Sequence, residues 1–114
     1  MTRKGKSAPN YLDNVPVQRV GHEVGENGLL ILLRPKFMRG PLAWWLQPRL
    51  RSRHFRVKLD EIGSAAWPLI DGKRTILEIS DLIYEKLGDR VEPRYERVSR
   101  FIGELRRGGM VAFV

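Results

Sequence analysis

This sequence has no cysteine, and its only histidines are His22 and His54. The lack of thiols excludes a disulfide framework, a cysteine nucleophile and a thiolate metal site, and it fits a protein of the reducing cytoplasm. Neither histidine has an Asp or Glu at a spacing typical of metal ligands, so we expect no metal centre. The chain therefore lacks the side chains on which thiol enzymes and most zinc sites depend.

Long apolar runs are also missing. None is longer than residues 29–33, which are far fewer than the ~20 residues that span a bilayer, and the basic start lacks the apolar stretch of a signal peptide. Glycine-rich phosphate loops and nucleophile-elbow serines are absent too. The adjacent carboxylates Asp60 and Glu61 suit a helix start better than acid–base chemistry. We expect one small domain that is not an enzyme and needs no cofactor.

Charge is unevenly distributed along this chain of net charge +8. Residues 1–56 hold 11 Lys and Arg against 3 acids, whereas residues 57–114 hold 10 against 10. A DNA-binding helix needs cations where it meets phosphates, and the helical half of this chain is neutral. A winged-helix DNA-binding protein is therefore only an alternative, and nucleic acid is an unexpected partner. Residues 1–14 are basic with little to bury, which predicts a mobile arm.

Three strands are expected in the first half of the chain. Residues 17–24 alternate in polarity and lead through a turn of Gly and Asn into residues 29–33, which predicts a hairpin. The second of these strands is apolar on both faces, so we expect it in the middle of the sheet. Residues 54–59 predict a third strand with Arg56 and Lys58 on the face away from the core.

The first helix is expected from Asp60, a good N-cap, to residue 70. Pro68 should kink this helix or end it early, because proline cannot donate a helical hydrogen bond. Gly72 supplies the positive φ of a helix end, and Thr75 with Glu78 forms a capping box for the next helix.

Residues 75–87 and 93–108 predict the second and third helices. The residues expected on their buried stripes are Ile76, Ile79, Leu82, Ile83 and Leu87, followed by Tyr95, Val98, Phe101, Ile102 and Leu105. The apolar residues 110–114 should then dock on the core or add a short strand.

One run of residues within this pattern is specific enough to compare with a known protein family. Residues 59–79 read LDEIGSAAWPLIDGKRTILEI. They combine an Asp-Glu-x-Gly turn, two small residues, a large apolar residue, an Asp-Gly break and an Arg-Thr-x-x-Glu-Ile helix start. The matching residues are Asp60, Glu61, Gly63, Ala65, Ala66, Trp67, Asp71, Gly72, Arg74, Thr75, Glu78 and Ile79. The run resembles the core of the PqqD family, the proteins named for coenzyme PQQ synthesis protein D.

The resemblance implies both a fold and a function. The fold is a winged-helix-like α+β domain, in which a three-stranded antiparallel sheet is followed by three helices. Members of the family are also called RiPP recognition elements. They capture the leader of a ribosomal precursor peptide between the third strand and the third helix and deliver it to a modifying enzyme, often a radical-SAM enzyme. We therefore expect a peptide-binding chaperone; a weaker possibility is an enzyme-stabilising subunit that recognises no peptide.

The resemblance also implies a peptide-binding cleft. Carried onto this sequence, its residues are Phe55, Arg56, Val57, Lys58, Arg94, Arg97, Val98 and Phe101. Arg56 and Lys58 would attract an acidic leader. The alternative is that the apolar members are plain core, and that the two arginines of the helix belong to a solvated face paired with Glu92 or Glu96.

A basic, Trp-rich insertion at residues 35–53 lies outside the family pattern. Residues 34–56 hold seven Lys and Arg and no acid. The apolar residues expected at a partner or membrane surface are Phe37, Leu42, Trp44, Trp45 and Leu46. Three interpretations are open: extra core for the domain itself, a docking or self-association surface, and a peripheral contact with an anionic membrane. Exchange of such a hairpin between chains would give a homodimer.

Overall fold

The computed structural model of the chain describes residues 10–35 and 54–114. Within these ranges the strands are β1 (Pro16–Gln18), β2 (Gly21–Val24), β3 (Leu30–Pro35), β4 (His54–Lys58) and β5 (Val111–Phe113), and the α-helices are α1 (Glu61–Ala66), α2 (Ile76–Leu87) and α3 (Arg94–Arg107). Short 3-10 turns lie at Tyr11–Asp13, Trp67–Leu69 and Gly88–Val91. None of the described helices is long and apolar enough to cross a membrane. The predicted α+β class is confirmed.

β2, β3 and β4 form an antiparallel sheet in that order, so β3 is the central strand. Val24 pairs with Leu30 across the turn, where Gly28 adopts a φ of +82°. Successive side chains of a strand point to opposite faces, and both Ile31 and Leu32 are buried, at 8% and 0% exposure. The predicted hairpin, three-stranded sheet and central second strand are all confirmed.

A second sheet, of two strands, joins the two ends of the described fold. The single strand expected over residues 17–24 is in fact divided, because β1 pairs with β5 whereas β2 pairs with β3. The β1–β5 pair is joined to the residues that follow the 3-10 turn at Trp67–Leu69, since the N–H of Gly72 donates to the carbonyl of Pro16 at 2.9 Å. The expectation that residues 110–114 add a short strand is confirmed.

The start of the described chain packs against the same region. The ring of Tyr11 lies edge-on to that of Phe113, with centroids 5.7 Å apart. Asn14 is only 4% exposed, and its carbonyl accepts a hydrogen bond from the N–H of Ile76 at 3.0 Å. Residues 10–14 therefore belong to the folded body, whereas the rest of the predicted arm, residues 1–9, lies outside the described residues.

The first predicted helix ends early, at its proline. The carboxylate of Asp60 accepts the N–H of Gly63 at 2.8 Å and so caps α1. α1 ends at Ala66 and continues as the 3-10 turn that contains Pro68. The prolyl nitrogen has no hydrogen with which to extend the α-helical ladder, which is why the helix changes there. The predicted cap and the predicted early end are confirmed.

The boundaries of the other two helices follow their predicted caps. In the capping box, the N–H of Glu78 donates to Thr75 Oγ1 at 3.1 Å and the N–H of Thr75 donates to Glu78 Oε1 at 2.9 Å. α2 ends at Gly88, which has a φ of +72°. α3 ends at Gly108, whose N–H donates to the carbonyl of Glu104 at 3.0 Å.

Two residues predicted to lie on buried helical stripes are exposed instead. Leu82 is 37% exposed and Tyr95 is 39% exposed. Tyr95 stays at the surface because its hydroxyl donates to Asp81 Oδ1 at 2.7 Å. The fully packed side of α2 is narrower than its periodicity suggests and excludes Leu82. It consists of Ile76, Ile79, Ser80 and Ile83.

Trp67 lies at the centre of the core with no exposed surface. Its indole Nε1–H donates to Nδ1 of His22 at 3.1 Å, and the two rings meet edge-on. Its carbonyl accepts Nε2–H of Gln18 at 2.7 Å. A buried indole N–H needs an acceptor, and His22 of β2 supplies it. This contact therefore joins the three-stranded sheet to the 3-10 turn that follows α1.

The Trp67–His22 hydrogen bond gives a test of this packing. We expect His22→Leu to lower the free energy of unfolding by about 1–3 kcal/mol, because it leaves a buried N–H without an acceptor. In a Trp67→Phe background the same change should cost much less, since no donor remains there. Urea unfolding of the four proteins in this double-mutant cycle measures the difference. An equal loss in both backgrounds would show that the hydrogen bond does not contribute.

Candidate functional site

β4 lies at an edge of the three-stranded sheet, because within the described residues it pairs with β3 alone. The N–H of Leu59 donates to the carbonyl of Leu30 at 2.9 Å, just beyond the end of β4. Hydrogen-bonded pairs alternate along an antiparallel ladder, so the peptide groups of Val57 also face β3. Those of Arg56 and Lys58 then point the other way. The described part of the chain therefore leaves these N–H and C=O groups free for another strand.

A groove of about 480 Å³ begins one residue after Leu59, between the first turn of α1 and one side of α3. Its described lining comprises Asp60, Ile62, Gly63, Pro93, Glu96, Arg97, Arg100, Phe101 and Glu104. The groove and the free edge of β4 thus meet at the junction of β4 and α1.

Gly63 determines the shape of this groove. A Cβ at this position would lie 3.0 Å from Cε1 of Phe101 and 3.2 Å from Oδ1 of Asp60, closer than ordinary van der Waals contact. Glycine therefore allows the Phe101 ring to approach the first turn of α1 closely. The half-buried Phe101 and Ile62 both pack on the core and also line the groove, which gives it an apolar floor.

The charged groups around the groove are mixed in sign. Glu96 pairs with Arg100 at 3.5 Å. The Asp60 carboxylate is already occupied by the N–H of Gly63, as a helix cap requires. Arg97 lines the groove and forms no ion pair among the described residues. The groove is therefore an apolar cleft with a mixed rim, not a uniformly cationic surface.

Arg94 belongs to a different part of the surface. Its Nη1 lies 3.0 Å from Asp81 Oδ1, its Nε lies 3.1 Å from Glu92 Oε1, and its guanidinium stacks 3.8 Å from the centroid of the Tyr84 ring. The N–H and the guanidinium of Arg94 lower the pKa of Glu92, whereas donation to Asp81 raises the pKa of Tyr95. This cluster fastens α3 to α2 and lies away from the groove.

The remaining predicted cleft residues are distributed as follows. Val98 has no exposed surface, and Val57 is half-buried against the core. Arg56 pairs with Glu23 on the outer face of the sheet. The backbone of Phe55 lies in β4 opposite Arg34, and its side chain is outside the described residues. The surface residues proposed for the insertion, Phe37, Leu42, Trp44, Trp45 and Leu46, are also outside them.

Of the predicted set, the structure therefore brings Arg97 and Phe101 into the groove and Arg56 and Lys58 to the adjacent strand edge. Sequence reasoning missed the other seven lining residues of the groove, among them Ile62, Gly63 and Arg100. The available signal was Gly63, since a glycine inside a helix often marks the close approach of another group.

Comparison with known proteins gives a match to a protein family. The family model described as coenzyme PQQ synthesis protein D (PqqD) matches residues 51–111, more than half of the chain. The matched range contains β4, all three α-helices and the groove between α1 and α3. No curated protein and no solved structure matches the chain.

The Glu92–Arg94 contact predicts a pH dependence of stability. Since the pKa of Glu92 is lowered in the folded protein, its contribution is fully present above the pKa of an unfolded Glu, near ~4.3, and is lost as pH falls through the lower folded value. We expect Glu92→Gln to lower Tm at pH 7 and this gap to shrink toward pH 3. Glu85→Gln, on the exposed side of α2, serves as the control. A gap that stays constant across this range would contradict the assignment.

Proposed function

This chain belongs to the PqqD family, and on that basis we propose that it binds the leader of a precursor peptide and presents it to a peptide-modifying enzyme. Proteins of this family are accessory binding proteins rather than catalysts. In the proposed role the chain would act in the cytoplasm, would require no cofactor, and would serve a partner such as a radical-SAM enzyme.

The observation that carries this proposal is the edge of β4, which the described residues leave unpaired beside the apolar groove. In strand addition, an extended peptide forms main-chain hydrogen bonds with an unpaired edge, and neighbouring pockets take alternate side chains. Arg56 and Lys58 would supply the main-chain groups, while Ile62 and Phe101 would receive apolar side chains. The two requirements for recognition of an extended peptide therefore occur together at the junction of β4 and α1.

The surface of α3 does not favour the nucleic-acid alternative. Arg94 is engaged by Asp81 and Glu92, and Arg100 lies next to Glu96. Phosphate binding depends on cations that are free to neutralise phosphates and so displace the counterions of the nucleic acid, and these acids would repel a phosphate backbone. A gel shift with duplex DNA at physiological salt is expected to show no complex.

Strand addition can be tested at Lys58. We expect Lys58→Pro to weaken binding of a labelled leader peptide by about 5- to 100-fold, because the lost N–H leaves a peptide carbonyl without its donor. Lys58→Ala keeps the N–H and should weaken binding by no more than about fivefold, the effect of one exposed charge. Fluorescence anisotropy measures Kd, and circular dichroism confirms that each variant is folded.

The opposite edge of the sheet offers a matched control. Val24 in β2 is 67% exposed, and by the same alternation its N–H points away from β3. Val24→Pro therefore introduces the same residue into the other edge and should leave leader binding unchanged. Equal affinity of Lys58→Pro and the unchanged protein would reject strand addition at β4.

A further inference from the structure

An extended peptide paired with β4 would present its side chains alternately to the two faces of the sheet. On the core side these side chains meet the groove, where Ile62 and Phe101 are half-buried and apolar. On the outer side they meet the row that contains Arg56 and Lys58. A larger hollow, of about 670 Å³, lies between the β2–β3 turn and the end of β4, and its lining includes Glu26 as well as Arg56 and Lys58. The two faces thus offer different chemistry to alternate residues of one ligand.

The outer row carries positive charge that the protein itself does not fully neutralise. Arg56 has an ion pair with Glu23, but both side chains are about half exposed, so another carboxylate can compete for it. Lys58 has no ion pair with any described residue. Residues 1–9 and 36–53, outside the described ranges, contain no Asp or Glu. Lys58 is therefore available to a carboxylate of a binding partner, although Glu26 lines the same hollow.

We propose that this site selects peptides in which apolar and acidic residues alternate. The apolar residues, two positions apart, pack into the groove against Ile62 and Phe101. The intervening acidic residues lie beside Arg56 and Lys58, which share the outer face and have the same two-residue spacing. This inference rests on the proposed function and adds to it the substrate class: an alternating acidic–apolar segment rather than any extended peptide.

Four synthetic peptides of about eight residues, an ordinary strand length, separate the possibilities. The first alternates Leu and Glu, the second and third replace Glu by Gln or by Lys, and the fourth has the composition of the first with its leucines in one block. Fluorescence anisotropy with the full chain gives Kd for each peptide at low and high salt. We expect the alternating Leu–Glu peptide to bind tightest, by about two- to fivefold for each charge pair, and to weaken most with salt.

Charge reversal tests the role of Lys58 directly. With Lys58→Glu, the preference should shift from the Glu peptide toward the Lys peptide. Lys73→Glu, an exposed charge reversal outside the site, should leave the order of affinities unchanged. Equal binding of the four peptides, or no shift with Lys58→Glu, would overturn the alternating pattern while leaving strand addition intact.

The proposed function fails in a different way. If the leader binds and is lost with Lys58→Pro, yet none of the synthetic peptides binds, the inferred substrate class is wrong and peptide capture stands. If neither the leader nor any synthetic peptide binds, peptide capture and the inferred pattern are both wrong.

Discussion

The arrangement of edge and groove depends on the hydrogen bonds of a single residue, Leu30. Its carbonyl accepts the N–H of Leu59 at 2.9 Å, and its own N–H donates to Oγ of Ser64 at 2.9 Å. The central strand therefore holds the end of β4 and the first helix at the same point. The first bond fixes which main-chain groups of β4 point away from β3, namely those of Arg56 and Lys58. The second places α1 where it forms one wall of the groove.

Local signals in the sequence predicted much of the fold, because the chemistry that sets them is local. A capping side chain and a proline without an N–H each act within a few residues, so Asp60 and Pro68 mark the two ends of α1 without help from the rest of the chain. Gly72 has the expected positive φ, +80°, but the helical residues end before it, at Leu69. The exposure of Leu82 and Tyr95 could not be predicted in this way. It depends on which neighbours arrive from distant sequence, such as Asp81 for the Tyr95 hydroxyl.

In the candidate site, too, some features could be predicted from the local sequence and others could not. That β4 ends a sheet follows from the order of three short strands, and Arg56 and Lys58 follow from its alternation. The contacts of Arg94 with Asp81, Glu92 and Tyr84 could not be predicted in this way, because residue spacing alone does not show whether a side chain faces a groove or a neighbouring helix. The contact between Gly63 and Phe101 joins two helices far apart in sequence, so the floor of the groove appears only once they are packed.

The energetics of strand addition explain why the side chains of a ligand should decide its binding. Ordering each peptide residue costs about 1–2 kcal/mol, whereas one hydrogen bond contributes a net of about 0.5–1.5 kcal/mol. The main-chain N–H and C=O groups of Arg56 and Lys58 therefore do little more than offset the free-energy cost of ordering the residues that they pair with. In the proposed complex, burial of an apolar side chain against Ile62 and Phe101, at about 1.5–3 kcal/mol each, would supply most of the net affinity. Main-chain pairing would then fix the register, and the side-chain pattern would select the peptide.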